Sequence, residues 1–265
     1  MLERMLPFAV SISILSLAQA GLIALPAPRE FAFARRLRSR WWALIPAGSV
    51  VAFVFGVRAL SGLADGLTYL ALFAVPPLAA IALGWLMRGA RPILALGAIA
   101  LFALAWADRA GLAGEAAGLL LEALSCVTLA VALVAVTPAK LVKVAIVAMA
   151  GVDAWLVISN LLTAPNNTLD ALAPVAHLPQ LQRVLFGSAM MGYGDLFIAA
   201  LLGALLATRL ERQRPAVLIA AAFGLTMNLL FFVVDELPAT VPIALALLCL
   251  EASAWRSRRA IAVRS

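Results

Sequence analysis

Charge is what this sequence has least of. Only 33 of its 265 residues are Asp, Glu, Lys or Arg, 12% of the chain, where a soluble domain carries about a quarter. A chain so poor in ionised groups cannot cover a water-facing surface. With 65% apolar residues, it cannot stay disordered either. A soluble globular enzyme and a disordered chain are therefore both excluded. Histidine is nearly missing, because His177 is the only one. It falls in a Pro- and Asn-rich stretch and is expected to be a solvated loop residue. Neither an HExxH zinc site nor a Ser–His pair at membrane depth is available. The two cysteines, Cys126 and Cys249, lie far apart without CxxC spacing. They are expected to pack as small side chains rather than to form a disulfide or hold a metal. No phosphate-binding loop or dinucleotide fingerprint occurs, so no metal and no organic cofactor is expected. The net charge is +7, but no basic patch interleaved with aromatics stands apart. Nucleic acid is not an expected partner, and the basic residues read as membrane-orientation charges.

What the sequence does have is apolar length. A helix crossing the hydrocarbon needs about 20 mostly apolar residues. Nine stretches approach that length, at about 5–26, 41–63, 66–87, 92–107, 112–136, 140–162, 185–208, 215–234 and 237–255. They are rich in Ala and Leu and lack the alternation of barrel strands. The expected fold is all-α, a polytopic transmembrane bundle of nine helices in a lipid bilayer. Residues 1–137 would form an N-terminal bundle of five helices. Residues 138–265 would supply helices six to nine and a short tail, within one integral membrane domain.

The charges test the segmentation. Arg29, Arg35, Arg36, Arg38, Arg40, Arg88, Arg91, Lys140, Lys143, Arg209, Arg212, Arg214, Arg256, Arg258, Arg259 and Arg264 all fall on one side of the predicted bundle. Only Arg4, Arg58, Arg109 and Arg183 fall on the other, with Asp65, Asp108, Glu115, Asp170, Asp235 and Glu236. The positive-inside rule then puts the C-terminus in the cytoplasm and the N-terminus outside. Ala18-Gln19-Ala20 resembles a signal-peptidase site. Glu3 and Arg4 cancel, however, and the arginine-dense stretch after it would have to be translocated. The first stretch is therefore taken as a true helix. Asn166-Asn167-Thr168 matches a glycosylation acceptor, a short pattern close to the membrane. The Ala-, Leu- and Arg-rich style suggests a prokaryotic cell membrane.

Acids within a hydrocarbon span are expensive and mark function. Asp153 lies in the sixth stretch, within Gly151-Val152-Asp153-Ala154-Trp155. Asp195 lies in the seventh, ending Gly192-Tyr193-Gly194-Asp195. Counted from the 162 and 185 ends of their stretches, each is roughly 14–15 Å deep at 1.5 Å per residue. Antiparallel neighbours would bring the two carboxyls together. Lys143 is about 15 Å from Asp153 along its helix and does not neutralise it. Glu115, Glu122 and Glu251 are expected to be structural, Glu115 and Glu122 sharing a face.

A close carboxyl pair shares one proton and titrates as a unit. The ionised member can take a proton from water while the other polarises a carbonyl and later protonates the departing amine. Peptide hydrolysis then needs neither His nor metal. Gly192 and Gly194 leave the backbone beside Asp195 open to an extended substrate.

These motifs resemble the GxGD intramembrane aspartyl proteases, the presenilin and signal peptide peptidase group. That family has nine spans, an Asp in span six, GxGD in span seven and Pro-Ala-Leu opening span nine. Here Gly192-Tyr193-Gly194-Asp195 matches the second motif. Val152-Asp153 stands where the family has Tyr-Asp, and Pro238-Ala239-Thr240 where it has Pro-Ala-Leu. The resemblance implies a presenilin-like fold in a microbial, single-chain homologue. Asp153 and Asp195 would be catalytic, and Val152, Gly192, Tyr193, Gly194, Pro238, Ala239 and Thr240 would position substrate. Substrates would be transmembrane segments or signal-peptide remnants. A prepilin-type GxGD peptidase is an alternative, although such enzymes usually carry a Lys soon after the Asp and here Leu196-Phe197-Ile198 follows. An ion channel is a second, since Gly-Tyr-Gly-Asp also ends potassium filters. A transporter and an inactive protease-like binding protein complete the set.

The orientation is directly testable. A reporter that is active only in the periplasm, fused to the C-terminus, is expected to be silent, and a positive signal would reverse the topology.

Overall fold

The computed structural model describes residues 2–29, 31, 34–59, 63–109, 111–161, 178–234 and 236–262. Among these residues run nine helices of more than ten residues, one for each apolar stretch. They are α1 (Leu2–Leu22), α2 (Ile45–Ala59), α3 (Leu63–Ile81), α4 (Gly97–Ala107) and α5 (Leu112–Val136). After them come α6 (Ala139–Ile158), α7 (Tyr193–Leu206), α8 (Leu210–Asn228) and α9 (Val241–Ala262). A π turn, Ala82–Leu86, prolongs α3, and the 3-10 turn Leu229–Phe232 prolongs α8. His177, the 166–168 acceptor, Asp170 and Asp235 lie outside the described residues.

The expected helix over 185–208 is only partly helical. Its first third is a β-hairpin, β1 (Arg183–Phe186) and β2 (Ala189–Gly192), with Arg183 opposite Gly192 and Phe186 opposite Ala189. Gly187 and Ser188 make the two-residue turn, and Gly187 has φ +58°, the glycine-first pattern of a type II′ hairpin. Its apolar flanks carried the hydropathy signal straight through the turn. α7 therefore has 14 residues, about 21 Å, against a hydrocarbon thickness of about 30 Å.

α5 is the central helix. The share of its most apolar stretch that is buried is 67%, against 17% for that of α8. Small residues (Gly114, Ala117, Gly118, Ala123, Ser125, Cys126 and Ala130) run along its buried length and let α3, α4 and α7 pack closely against it. α1 runs beside α7 and α8, and α9 beside α8 and α6. Outward-facing side chains such as Phe73, Ile99 and Leu218 are large, apolar and exposed, a surface that suits lipid rather than water. Among the described residues, four helical segments are long and apolar enough to cross a membrane, 66–86, 112–136, 139–158 and 210–232. The apolar helices 6–22, 40–56, 92–107 and 193–206 are shorter.

The basic connections gather at one end of the bundle. Ala27 N–H donates to the Leu86 carbonyl at 2.9 Å, and Ser39 N–H to that of Val136 at 2.9 Å. The Arg88 guanidinium reaches the Ala207 carbonyl at 3.0 Å and Gln213 Oε1 at 2.6 Å. Next to Gln213, Arg212 approaches Glu251, which Lys143 also meets at 2.8 Å. Glu251 is thus structural, as expected, and Lys143 is engaged far from Asp153.

Gln213 also donates to the Ile23 carbonyl at 2.7 Å, where α1 comes so close to α7 that a Cβ on Gly203 would strike the Ile23 backbone. Gly203→Ala is therefore expected to destabilise the protein by about 1–3 kcal/mol. Gly21→Ala, which meets open space, is expected to be neutral or stabilising. Thermal unfolding in detergent checks both, and equal melting temperatures would contradict the close crossing.

Candidate active site

The hairpin changes how Asp195 is presented. With α7 starting at Tyr193, Gly192 is the N-cap and Asp195 the third helical residue. Its Oδ2 accepts the Gly192 backbone N–H at 3.0 Å, the reach-back half of a capping box. Asp195 thus sits in a first helical turn, where unpaired N–H groups and the helix dipole favour negative charge. Its mid-helix position in the sequence reading is corrected accordingly. Asp153 is likewise five residues from the Ile158 end of α6. α6 ends four residues before its expected 162 end and α7 starts eight residues after its expected 185 start, so Asp153 lies five residues and Asp195 two residues from the facing helix ends.

Asp153 and Asp195 are both half-buried, on helices that pack against each other. The backbone of Asp195 and that of Ala239, next to Thr240, share one side-chain donor, Gln19. Asp153 has a partner from a third element. The segment before α9 carries Pro238, Ala239 and Thr240, and Thr240 is fully buried. The Thr240 hydroxyl donates to Asp153 Oδ2 at 2.7 Å and its backbone N–H to the same oxygen at 3.2 Å. The hydroxyl that distinguishes Thr240 from the leucine of the resembled motif is thus the atom that binds Asp153. Among the described residues, Oδ2 of each aspartate has a protein donor and Oδ1 of neither does.

Tyr193 turns away from the carboxyls toward α5. Its hydroxyl lies 2.6 Å from Ser125 Oγ. The Ser125 hydrogen is committed to the Glu122 carbonyl at 2.7 Å, so Tyr193 is the donor in that pair. Cys126 Sγ approaches the Tyr193 carbonyl at 3.8 Å. Tyr193 therefore anchors the start of α7 to the central helix. Gly194 faces Met149 and Val50, at 3.5 and 3.7 Å from the position of a Cβ. Val152 is half-buried beside Asp153, and Pro238 and Ala239 are half-buried as well. Glu115 Oε2 accepts the Gly187 N–H of the hairpin turn at 2.6 Å, a structural role. Glu122 is fully buried, and its Oε2 has no hydrogen-bond partner among the described residues. The two cysteines are free, Cys126 buried and Cys249 exposed.

One polar residue was not singled out as a site residue from the sequence. Gln19, buried in α1, donates from Nε2 to the Asp195 carbonyl at 3.0 Å and the Ala239 carbonyl at 2.9 Å. It belongs to the Ala18-Gln19-Ala20 stretch that looked like a cleavage site. The signal available was a lone amide in an apolar helix, which must find partners when buried.

No family model, curated protein or solved structure matches this chain.

The Thr240 contact can be tested alone. Thr240→Val keeps the side-chain shape and removes the hydroxyl. It is expected to cost about 1.5–3 kcal/mol, the range for a hydrogen bond to a charged group, whereas Thr240→Ser should retain most of the stability. Indistinguishable thermal unfolding of the three proteins would contradict the contact.

Proposed function

We propose that the protein is an intramembrane aspartyl endopeptidase that cleaves peptide bonds within transmembrane segments or signal-peptide remnants. The observation that carries this reading is the pairing of Asp153 and Asp195 on packed helices, joined through Thr240, Ala239 and Gln19, each with Oδ2 held by a protein donor. One carboxylate takes a proton from water as the water oxygen bonds to the substrate carbonyl carbon. The other carboxyl gives its proton to the carbonyl oxygen, producing a tetrahedral diol. The diol then returns a hydroxyl proton to the first-formed acid's partner carboxylate, the amide nitrogen takes a proton from the acid, and the carbon–nitrogen bond breaks. An acid and an amine leave, and the pair again holds one proton. The short α7 and the hairpin before it support the reading. They leave the pair near helix ends, where a substrate backbone can unwind and water can arrive.

Nine crossings, with the basic end in the cytoplasm, complete the proposal. The gathering of the basic connections at one end of the bundle supports it. The prepilin-type alternative is less well supported. Leu196 and Ile198, directly after Asp195, are wholly buried, in a position that suits no lysine. A potassium filter needs a row of free carbonyls. Here Tyr193, Gly194 and Asp195 are helical, and the carbonyls of Tyr193 and Asp195 have donors.

Purified protein is expected to cleave a generic transmembrane substrate, and Asp153→Ala and Asp195→Ala are each expected to reduce cleavage to background. Cleavage that survives either substitution overturns the pair. Ion flux through reconstituted protein without proteolysis would favour a channel or transporter.

A further inference from the structure

A route of hydrogen bonds and short backbone connects the two carboxyls, and it passes through α1. Gln19 holds the Asp195 carbonyl and the Ala239 carbonyl with one nitrogen. Ala239 is followed by Thr240, whose hydroxyl and N–H both hold Asp153 Oδ2. Both Gln19 partners are carbonyl oxygens, which only accept, so the amide orientation is decided and Nε2 uses both of its hydrogens. Nothing else among the described residues bridges the start of α7 to the 238–240 segment by a side chain. α1 is held firmly enough to serve as a frame. At its far end, Ile23 is bound by Gln213 and closed against Gly203, and Ser11 accepts the Ser188 N–H of the hairpin at 3.3 Å.

We propose that Gln19 is a positioning residue for the carboxyl pair. It fixes α7, which carries Asp195, relative to the segment that holds Asp153, and so sets the separation of the two acids. This inference rests on the peptidase reading for its effect on rate, but not for the clamp itself. A carboxyl pair works only at a separation that lets one proton be shared across water and substrate, and a misplacement of about 1 Å can cost about 100-fold. Loss of the clamp should therefore appear in turnover rather than in substrate binding.

Three variants separate this role from a purely structural one. Gln19→Met keeps size and helix propensity and removes both hydrogen bonds. Gln19→Glu keeps the shape but turns an oxygen toward two carbonyl oxygens. Ser13→Ala is the control on the same helix, because Ser13 bonds only to the Ala9 carbonyl of its own helix, at 2.6 Å. In the cleavage assay, Gln19→Met and Gln19→Glu are expected to lower kcat by at least about tenfold with KM within about twofold, the signature of an interaction that matters for the transition state. Ser13→Ala should leave both unchanged. A second readout does not need activity. Spin labels on Met190→Cys and Leu248→Cys, with Cys249→Ser, report the distance between the hairpin leading into α7 and α9. The distribution should be single and narrow with Gln19 and broadened or displaced with Gln19→Met. An unchanged distribution overturns the clamp, and a changed distribution with unchanged kcat overturns the positioning role. If the wild type cleaves nothing, the peptidase reading fails, while the distance measurement still decides the clamp.

Discussion

Two carboxyl groups in one apolar bundle oppose each other and the hydrocarbon together, and the rest of this structure is arranged around holding them. Burying an acid in hydrocarbon costs desolvation, and two close carboxylates repel. The protein offsets this with donors aimed at one oxygen of each. Thr240 supplies two to Asp153, and the Gly192 amide supplies one to Asp195. The start of α7 at Tyr193 adds the favourable end of a helix dipole beneath Asp195. None of these donors comes from the helix that carries Asp153. The pair therefore exists only when α6, α7 and the entry to α9 are correctly assembled.

Assembly depends on small residues and buried amides more than on ion pairs. The glycine, alanine and serine residues of α5 allow α7 to approach, and Ser125 receives the Tyr193 hydroxyl there. α1 closes the other side, with Gln19 at the level of Asp195 and Ile23 against Gly203. In an apolar surrounding, such amide and hydroxyl contacts orient helices that dispersion alone would leave free to slide. The Lys143–Glu251–Arg212 group joins α6, α8 and α9 at the basic end, away from the acids.

The helices were legible because hydropathy over about 20 residues is a strong signal. The 112–136 stretch matches α5 at both ends. The two acids were legible for the opposite reason, as violations of that hydropathy. The hairpin was hidden because Val184, Leu185, Phe186, Met190 and Met191 are as apolar as a span. Only Gly187-Ser188 marked the turn, and a glycine followed by a serine is also ordinary within a membrane helix. Gln19 was hidden for a different reason. One amide in a helix has no spacing or partner that sequence order reveals, since its two acceptors lie beyond residue 190. Thr240 was visible as a departure from a motif, but its contact with Asp153 depended on where the chain turns before α9. The 25-residue α5 and the 11- and 14-residue α4 and α7 show that nine apolar stretches need not be nine helices of equal length.

The central claim is that Asp153 and Asp195 act as one unit on a tetrahedral centre. The most direct measurement is binding of a hydroxyl-bearing peptide isostere, which mimics that centre and requires no turnover, to purified protein in detergent. The account predicts saturable binding to the wild type that is lost on Asp153→Asn and on Asp195→Asn alike, with both variants still folded. Binding that persists undiminished in either variant would contradict it.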